Sequence, residues 1–292
     1  MFNVIFTPSM IEVIQRMIPS VFQTLRPGVH RLIAPNPGIM TGPGTNTYLL
    51  GEKRFTVIDP GPAIDAHLDA IAKALQEQGA SLERVVVTHT HPDHSPAASH
   101  LAERFEVPLV GRVIADDGHQ DTAFDPDHHL EHDDVFALDD GSALRAIHTP
   151  GHVDNHFCFL HDASGTVFTG DHIMQGSTVV IIPPAGDMAD YMASLRKLLD
   201  YPVKALAPGH GSVIETPVEE IQGLIKHRQG REDKIVGVLK QLAGNLDDLV
   251  VHAYNDVDPA IHEIAKLSLW AHLLKLQKEG RAQESGGHWV LI

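Results

Sequence analysis

The stretch THTHPDHS, residues 88–95, places His89, His91, Asp93 and His94 directly after the run Arg84-Val85-Val86-Val87. That apolar run reads as a strand built for burial. Titratable side chains at the end of a buried strand are costly unless something pairs with them. Alternate residues of an extended segment point the same way, so His89 and His91 can reach one metal ion together. Asp93 and His94 fall where the chain turns into a helix and can aim at a neighbouring point. Three later segments repeat the pattern of a polar residue beside glycine at a strand end: HTPGH (148–152), FTGD (168–171) and APGHG (207–211). Glycine permits the tight turn, and side chains on rigid strand ends are held best. The arrangement predicts His89, His91 and His152 at one position, Asp93, His94 and His210 at a second, and Asp171 bridging them.

Imidazole and carboxylate without thiolate suit zinc, with iron or manganese as alternatives. Two divalent ions about 3.5–4 Å apart polarise a substrate oxygen and lower the pKa of bound water from about 15.7 toward 7. The expected chemistry is hydrolysis by a metal-bridging hydroxide, with a bound water or Asp93 returning a proton to the leaving group. A single HxH means little in a chain with 21 histidines. Four such segments in order mean far more.

Neighbouring residues have two readings each. Asn46 and Thr45, in GTNTY, either line the mouth of the site or serve a turn. His156 and His172 flank ligands and are candidates for substrate contact or proton donation. His119, His128, His129 and His132 lie in the acidic stretch GHQDTAFDPDHHLEHDD, which reads as a solvated loop. Cys158 is the only cysteine, which excludes an intramolecular disulfide and a cysteine-based metal site. Within Phe157-Cys158-Phe159-Leu160 it reads as a small buried hydrophobe.

The elements that must position these residues follow from periodicity and punctuation. Val29–Ile33, Tyr48–Leu50, Phe55–Ile58 and Val85–Val87 read as strands, as do Leu109-Val110, Val135–Leu138, Leu144–Ile147, Phe157–Leu160, Val167–Thr169, Val179–Ile182 and Val203–Ala207. Asp65–Gln78, a segment opened by Ser95-Pro96, and Met188–Leu199 read as helices, Ser95 being the expected N-cap. Ser9 and Glu12 suggest a capped helix over Met10–Ile18. Strand groups separated by helices suit two packed sheets with helices outside. From Thr216 the chain turns helical. Thr216-Pro217-Val218-Glu219 is a candidate capping box, and Asp258-Pro259 opens a helix with Ile261, Ile264, Leu267, Trp270 and Leu274 along one face. Gly286-Gly287 then closes a hairpin, so helices plus hairpin suggest a winged helix-turn-helix. The expected division is an N-terminal extension (1–21), a catalytic domain (22–215) and a winged-helix-like domain (216–292).

Of 292 residues, 43% are hydrophobic and 21% charged, which is ordinary for a globular protein. The formal net charge of −16 makes nucleic acid and anionic membranes poor default partners. The charge is uneven: residues 1–219 carry 13 Lys+Arg against 28 Asp+Glu, and residues 220–292 carry 9 against 10. With no basic leader and no run long enough to span a bilayer, a cytoplasmic protein is expected.

HxHxDH, then PGH, GD and PGHG, in that order over about residues 22–215, resembles the metallo-β-lactamase superfamily. TGPGTNTYLLG (41–51), HTPGHVDNH (148–156) and YMASLRKLL (191–199), with the C-terminal winged helix, are similar to its lactamase-beta-2-like branch. The resemblance implies an αββα sandwich, a fold of the α+β class, with a binuclear zinc site between the sheets and the same seven ligands. It also implies that Asp59, in FTVIDPG, orients a ligating histidine; the alternative is that Asp59 stabilises its own Pro-Gly turn. Cys158 stands in no position to match the metal-binding cysteine of secreted β-lactamases, and no export signal is evident, so β-lactam hydrolysis is not expected.

Three functions fit. THTHPDH also resembles glyoxalase II-like thioesterases, which implies a small thioester or carboxylic ester or amide substrate. The branch includes single-strand-specific endoribonucleases, which makes RNA the alternative. A non-enzymatic metal-bearing scaffold is the third. Charge favours the first, because binding a polyanion needs Lys and Arg against phosphates. Lys226, His227, Arg228, Arg231 and Lys234 are interrupted by Glu232 and Asp233 and read as a solvated helix face.

Overall fold

The computed structural model describes residues 19–292; the helix expected over Met10–Ile18 lies outside them. The first half folds as one sheet of seven strands in sequential order. β1 (Gln23–Arg26), β2 (Val29–Ile33), β3 (Asn46–Leu50) and β4 (Arg54–Ile58) run antiparallel through tight turns. Helix α1 (Asp65–Glu77) then returns the chain to a parallel β5 (Ser81–Val86). Helix α2 (Pro96–Phe105) leads to parallel β6 (Leu109–Gly111), followed by the short edge β7 (His128–His129). The second sheet has the order β12-β11-β10-β9-β8. Its strands are β8 (Val135–Ala137), β9 (Ala143–His148), β10 (Phe157–His161), β11 (Thr166–Gly170) and β12 (Ala205–Pro208). Helix α3 (Met188–Leu198) makes the one parallel crossover, from β11 to β12.

Alternation along the strands decides how these layers stack. Tyr48, Leu50, Ile58 and Val86 meet Leu144, Phe157, Phe159 and Phe168 between the sheets. Their sequence neighbours face outward: Leu49, Val57 and Val85 pack under Ile71, Leu75 and Leu101 of α1 and α2. Ile147, Cys158, Leu160, Val167 and Leu206 pack under Tyr191, Leu195 and Leu198 of α3. Burying both faces of both sheets gives the expected αββα sandwich.

The chain continues through α4 (Pro217–Leu239), α5 (Leu246–Ala253), a 3-10 turn (Pro259–Ile261), α6 (His262–Lys278) and the hairpin of β13 (Ala282–Ser285) and β14 (His288–Leu291). Ser285 pairs with His288, leaving Gly286 and Gly287 as a two-residue turn with φ of 58° and 82°, a conformation glycine adopts freely. Ile235, Leu249, Leu269, Leu273 and Trp289 form the core of this winged helix. The first turns of α4 belong to the sandwich instead, with Ile221 and Leu224 in the layer beneath α3.

Four expectations need correction. Val179–Ile182 has the alternating burial of a strand but pairs with no strand: side chains claim the carbonyls of Val179 and Val180, and the Gly186 amide claims that of Ile182. Ser95 sits at the N-cap of α2 without capping; its hydroxyl donates to Asp121 Oδ2 at 2.8 Å. Thr216 likewise forms no capping bond. Ile261, at the end of the 3-10 turn, and Ile264 on α6 are 47% and 48% exposed, while Ala265, Leu269, Leu273 and Leu276 are buried. Steps of three residues drift by roughly 60° each on a helix of 3.6 residues per turn. A run read at i+3 alone therefore leaves the buried face.

Candidate metal centre

β5 delivers the first donors. The ladder ends at Val86, and the chain leaves the C-terminal end of this interior strand for α2, bringing His89, His91, Asp93 and His94 to one end of the sandwich. The turns after β9, β11 and β12 bring His152, Asp171 and His210 to the same end. Small residues permit this closeness. A Cβ on Gly209 would stand 2.7 Å from His94 Cε1 and 2.9 Å from Asp171 Oδ1. One on Gly151, at φ 142°, would stand 2.3 Å from the Tyr191 backbone.

The seven predicted donors form two groups, His89/His91/His152 and Asp93/His94/Asp171/His210, each with ligand atoms within 4.8 Å of one another. His89 Nε2 and His152 Nε2 each lie 3.0 Å from His91 Nδ1. Asp171 spans both groups, with Oδ1 3.3 Å from His94 Nε2 and from His210 Nε2, and Oδ2 3.9 Å from His152 Nε2. Asp93 Oδ2 lies 3.1 Å from His210 Nε2.

The surroundings fix which ring nitrogens face inward. Asp59, at φ 49°, accepts from the Thr88 amide (2.7 Å), the Thr88 hydroxyl (2.7 Å) and His94 Nδ1 (2.8 Å). The Thr88 hydroxyl, spent as a donor, accepts from His89 Nδ1 at 3.0 Å. His152 Nδ1 donates to Val180 O at 2.9 Å. Both Nε2 atoms directed at His91 thus carry lone pairs, and His91 Nδ1 can donate to only one of them. Burial, reinforced by neighbouring imidazoles, holds His89 well below its usual pKa and His91 down at about 4. Burial also lowers His152. Three neutral imidazoles with lone pairs converging is an arrangement that a cation satisfies and a proton does not.

The other group has surplus negative charge. Burial alone would lower His94, but Asp93, Asp171 and Asp59 around it hold it well above its usual value. His210 is likewise raised, Asp171 and Asp93 outweighing burial. Burial alone would raise Asp171, but His210 and His94 hold it well below the carboxylate range. His94 Nε2 and Asp171 Oδ1 are buried with no hydrogen-bond partner of good geometry. A divalent ion fits here by taking the place of the imidazolium protons.

The remaining sequence candidates lie behind this surface. Asn46 and Thr45 are fully buried and line no mouth. Asn46 Nδ2 donates to Pro208 O (2.8 Å) and Gly211 O (2.9 Å), clamping the segment that carries His210. His156 and His172 are also fully buried and do not line the cavity; His156 bonds Thr149 Oγ1 at 2.9 Å, and His172 packs on Tyr191. Asp59 bonds His94 Nδ1 as well as the Thr88 amide and hydroxyl, so it does more than stabilise its own turn. Cys158 is buried, accepts from Thr149 Oγ1 at 3.3 Å, and is pushed up to about 12 by burial.

Residue-type reasoning missed the walls. A cavity of about 230 Å³ opens over the two groups, lined also by Met40, Asp117, His119, Met174, Val180 and Ile182. Met40, Asp117, His119 and Met174 sit on loops without periodicity, Val180 and Ile182 belong to the run whose alternation reads as a strand, and His119 faces the mouth of the site rather than bulk solvent alone. No local signal marks any of the six as cavity wall.

The superfamily described as "Metallo-beta-lactamase superfamily" matches residues 40–210. The chain belongs to the metallo-beta-lactamase superfamily. Residues 246–289 match the beta-lactamase associated winged helix domain. The beta-lactamase-like protein 2 homolog of Drosophila melanogaster is 36% identical over 284 residues, covering 92% of this chain and 94% of its own. That of Caenorhabditis elegans is 32% identical, covering 88% and 87%. The crystal structure of a beta-lactamase domain protein from Burkholderia ambifaria superposes with a TM-score of 0.80 at 20% identity, over 94% and 95% of the two chains, and so shares the fold. Membership makes this chain a metal-dependent hydrolase of the metallo-beta-lactamase fold. No helix among the described residues is long and apolar enough to cross a membrane.

Proposed function

We propose that this chain is a binuclear metal-dependent hydrolase acting on a small thioester or carboxylic ester or amide. The observation that carries the reading is the cavity. Five of the seven donors, His91, Asp93, His152, Asp171 and His210, line about 230 Å³ of space walled by Met40, Met174, Val179, Val180 and Ile182, with no Lys or Arg among the described lining residues. A polyanion needs cations against its phosphates. A small neutral group needs apolar walls and a few placed polar atoms. The basic run of α4 is already engaged: Arg231 and Lys234 bond Asp256, and Arg228 bonds Val179 O.

Two divalent ions, zinc fitting the donors best, would polarise the substrate oxygen and bring the pKa of bound water from about 15.7 toward 7. The chain supplies the rest. Asp171 joins the two groups, and Asp59 with Thr88 presents Nε2 of His94 and His89 inward. The apolar walls exclude bulk water, which strengthens every charge interaction within. Asp93, which lines the cavity with its side chain 28% exposed, would take up the proton of the attacking water and pass it to the leaving group.

The test pairs an acyl-thioester panel with labelled single-stranded RNA, each against wild type and Asp171→Ala at known metal content. Thioester turnover lost in the variant, with RNA left intact by both proteins, supports the reading. RNA cleavage lost in the variant, without thioester turnover, replaces it with an endoribonuclease. Full activity and metal in a folded Asp171→Ala would refute the site.

A further inference from the structure

The unpaired run Val179–Ile182 stands between the two domains. Its Val180 carbonyl faces the metal centre and accepts from His152 Nδ1 at 2.9 Å. The preceding carbonyl, of Val179, accepts from Arg228 Nη2 on α4 at 2.5 Å. Consecutive peptide groups of an extended run are thus held from opposite sides, one by a candidate ligand and one by the helix that leads into the winged-helix domain.

Arg228 grips the same ligand by a second route. Its guanidinium lies 5.3 Å over the ring of Tyr191 on α3. The backbone of Tyr191 is the surface against which Gly151, the residue before His152, is pressed. Nη1 reaches Ser268 Oγ on α6 at 3.4 Å. Arg228 is only 4% exposed, and no carboxylate among the described residues pairs with it. Glu232, one turn on, is occupied by Lys275 and Arg281. A buried guanidinium without a counter-charge is costly, and folds keep such exceptions mainly where function requires them.

We propose that Arg228 is a positioning residue through which the C-terminal helices set the orientation of His152, and so the strength of ion binding at the three-histidine position. This rests on the metal reading above. The ring of His152 needs its Nδ1 acceptor fixed, because partners of a ligating imidazole typically control about 10–100-fold in metal affinity. Here that acceptor is a main-chain carbonyl in a segment with no sheet to hold it. Arg228 is the clamp.

The experiment titrates Zn²⁺ into the full chain in competition with a chromophoric chelator, for wild type, Arg228→Met, His152→Ala and the double variant. In Arg228→Met, one of the two ions is expected to weaken about 10–100-fold and the other to hold its affinity. In the His152→Ala background, Arg228→Met should add no further loss, since coupled residues are non-additive. Lys278→Ala cuts a different contact between the domains, to Asp187, and should leave both ions unchanged. Equal weakening of both ions, or the same loss in Lys278→Ala, would reduce Arg228 to general domain packing and overturn the proposal. If Arg228→Met does not fold, Arg228→Lys keeps the charge without the planar fork. A several-fold loss at the same single position is then expected, and wild-type affinity at both positions overturns the proposal. Two-ion uptake by wild type with an insensitive Arg228→Met defeats the Arg228 link alone, whereas a wild type that takes up no Zn²⁺ defeats the metal reading with it.

Discussion

Gly209→Ala adds one methyl group at the centre of the site and little else. Gly209 does not need a left-handed backbone, so alanine introduces no φ strain. The new Cβ would stand 2.7 Å from His94 Cε1 and 2.9 Å from Asp171 Oδ1. Non-bonded carbons settle at about 3.5–4.0 Å, so the imidazole must retreat by roughly 0.8 Å or more. Metal–ligand distances tolerate only about 0.2 Å. His94 cannot yield freely, because its Nδ1 is bonded to Asp59 and its ring is fully buried. The displacement therefore exceeds the tolerance several-fold, and a loss of at least about 100-fold in affinity at the Asp93/His94/His210 position is expected, judged against the 10–100-fold typical of milder, indirect perturbations. Chelator competition measures it, and a far-UV and thermal comparison with wild type checks the fold. Gly79→Ala serves as a contrast, since a Cβ there meets nothing within 4 Å although φ is 57°; it should cost some stability and no metal. A Gly209→Ala protein that binds both ions with unchanged affinity would refute the assignment of His94 and Asp171 as ligands.

Two further outcomes follow from burial. His67 is fully buried, with Nε2 at 2.9 Å from Thr47 Oγ1, and burial lowers its pKa from 6.5 to about 4. The unfolded chain takes up that proton near pH 6.5 and the folded protein only near 4. The stability linked to neutral His67 is therefore complete above pH 6.5 and is lost as pH falls toward 4, by about 3 kcal/mol at 1.36 kcal/mol per pKa unit. Unfolding free energies from urea titrations of wild type and His67→Gln should converge by that amount between pH 7 and 4; parallel curves would contradict it. Cys158, buried and with its thiol pushed up to about 12, should resist alkylation at pH 8 in the native protein and react once denatured. Rapid labelling of the folded protein would show that β10 opens.

Much of the site was legible in the sequence because the donors come from short segments with local grammar. HxHxDH after a valine run and glycine beside His152, Asp171 and His210 are signals carried by adjacent residues. Strand alternation likewise announced two sheets with helices outside, since a strand with both faces apolar has to be covered on both. What failed was whatever depends on distant partners. Val179–Ile182 alternates like a strand, yet no strand arrives beside it, and the carbonyls of Val180 and Val179 go to His152 and Arg228. Ser95 has the residue type of an N-cap but finds Asp121 instead. Arg228 looked like part of a solvated basic run and is buried. His119 looked like loop and faces the mouth. Nor could residue type say whether His156 and His172 faced substrate or core. Spacing along the chain determines which donors can share an ion, because it acts over a few residues of fixed geometry. Only packing decides which cavity stands over them, since its walls come from segments that the sequence keeps far apart.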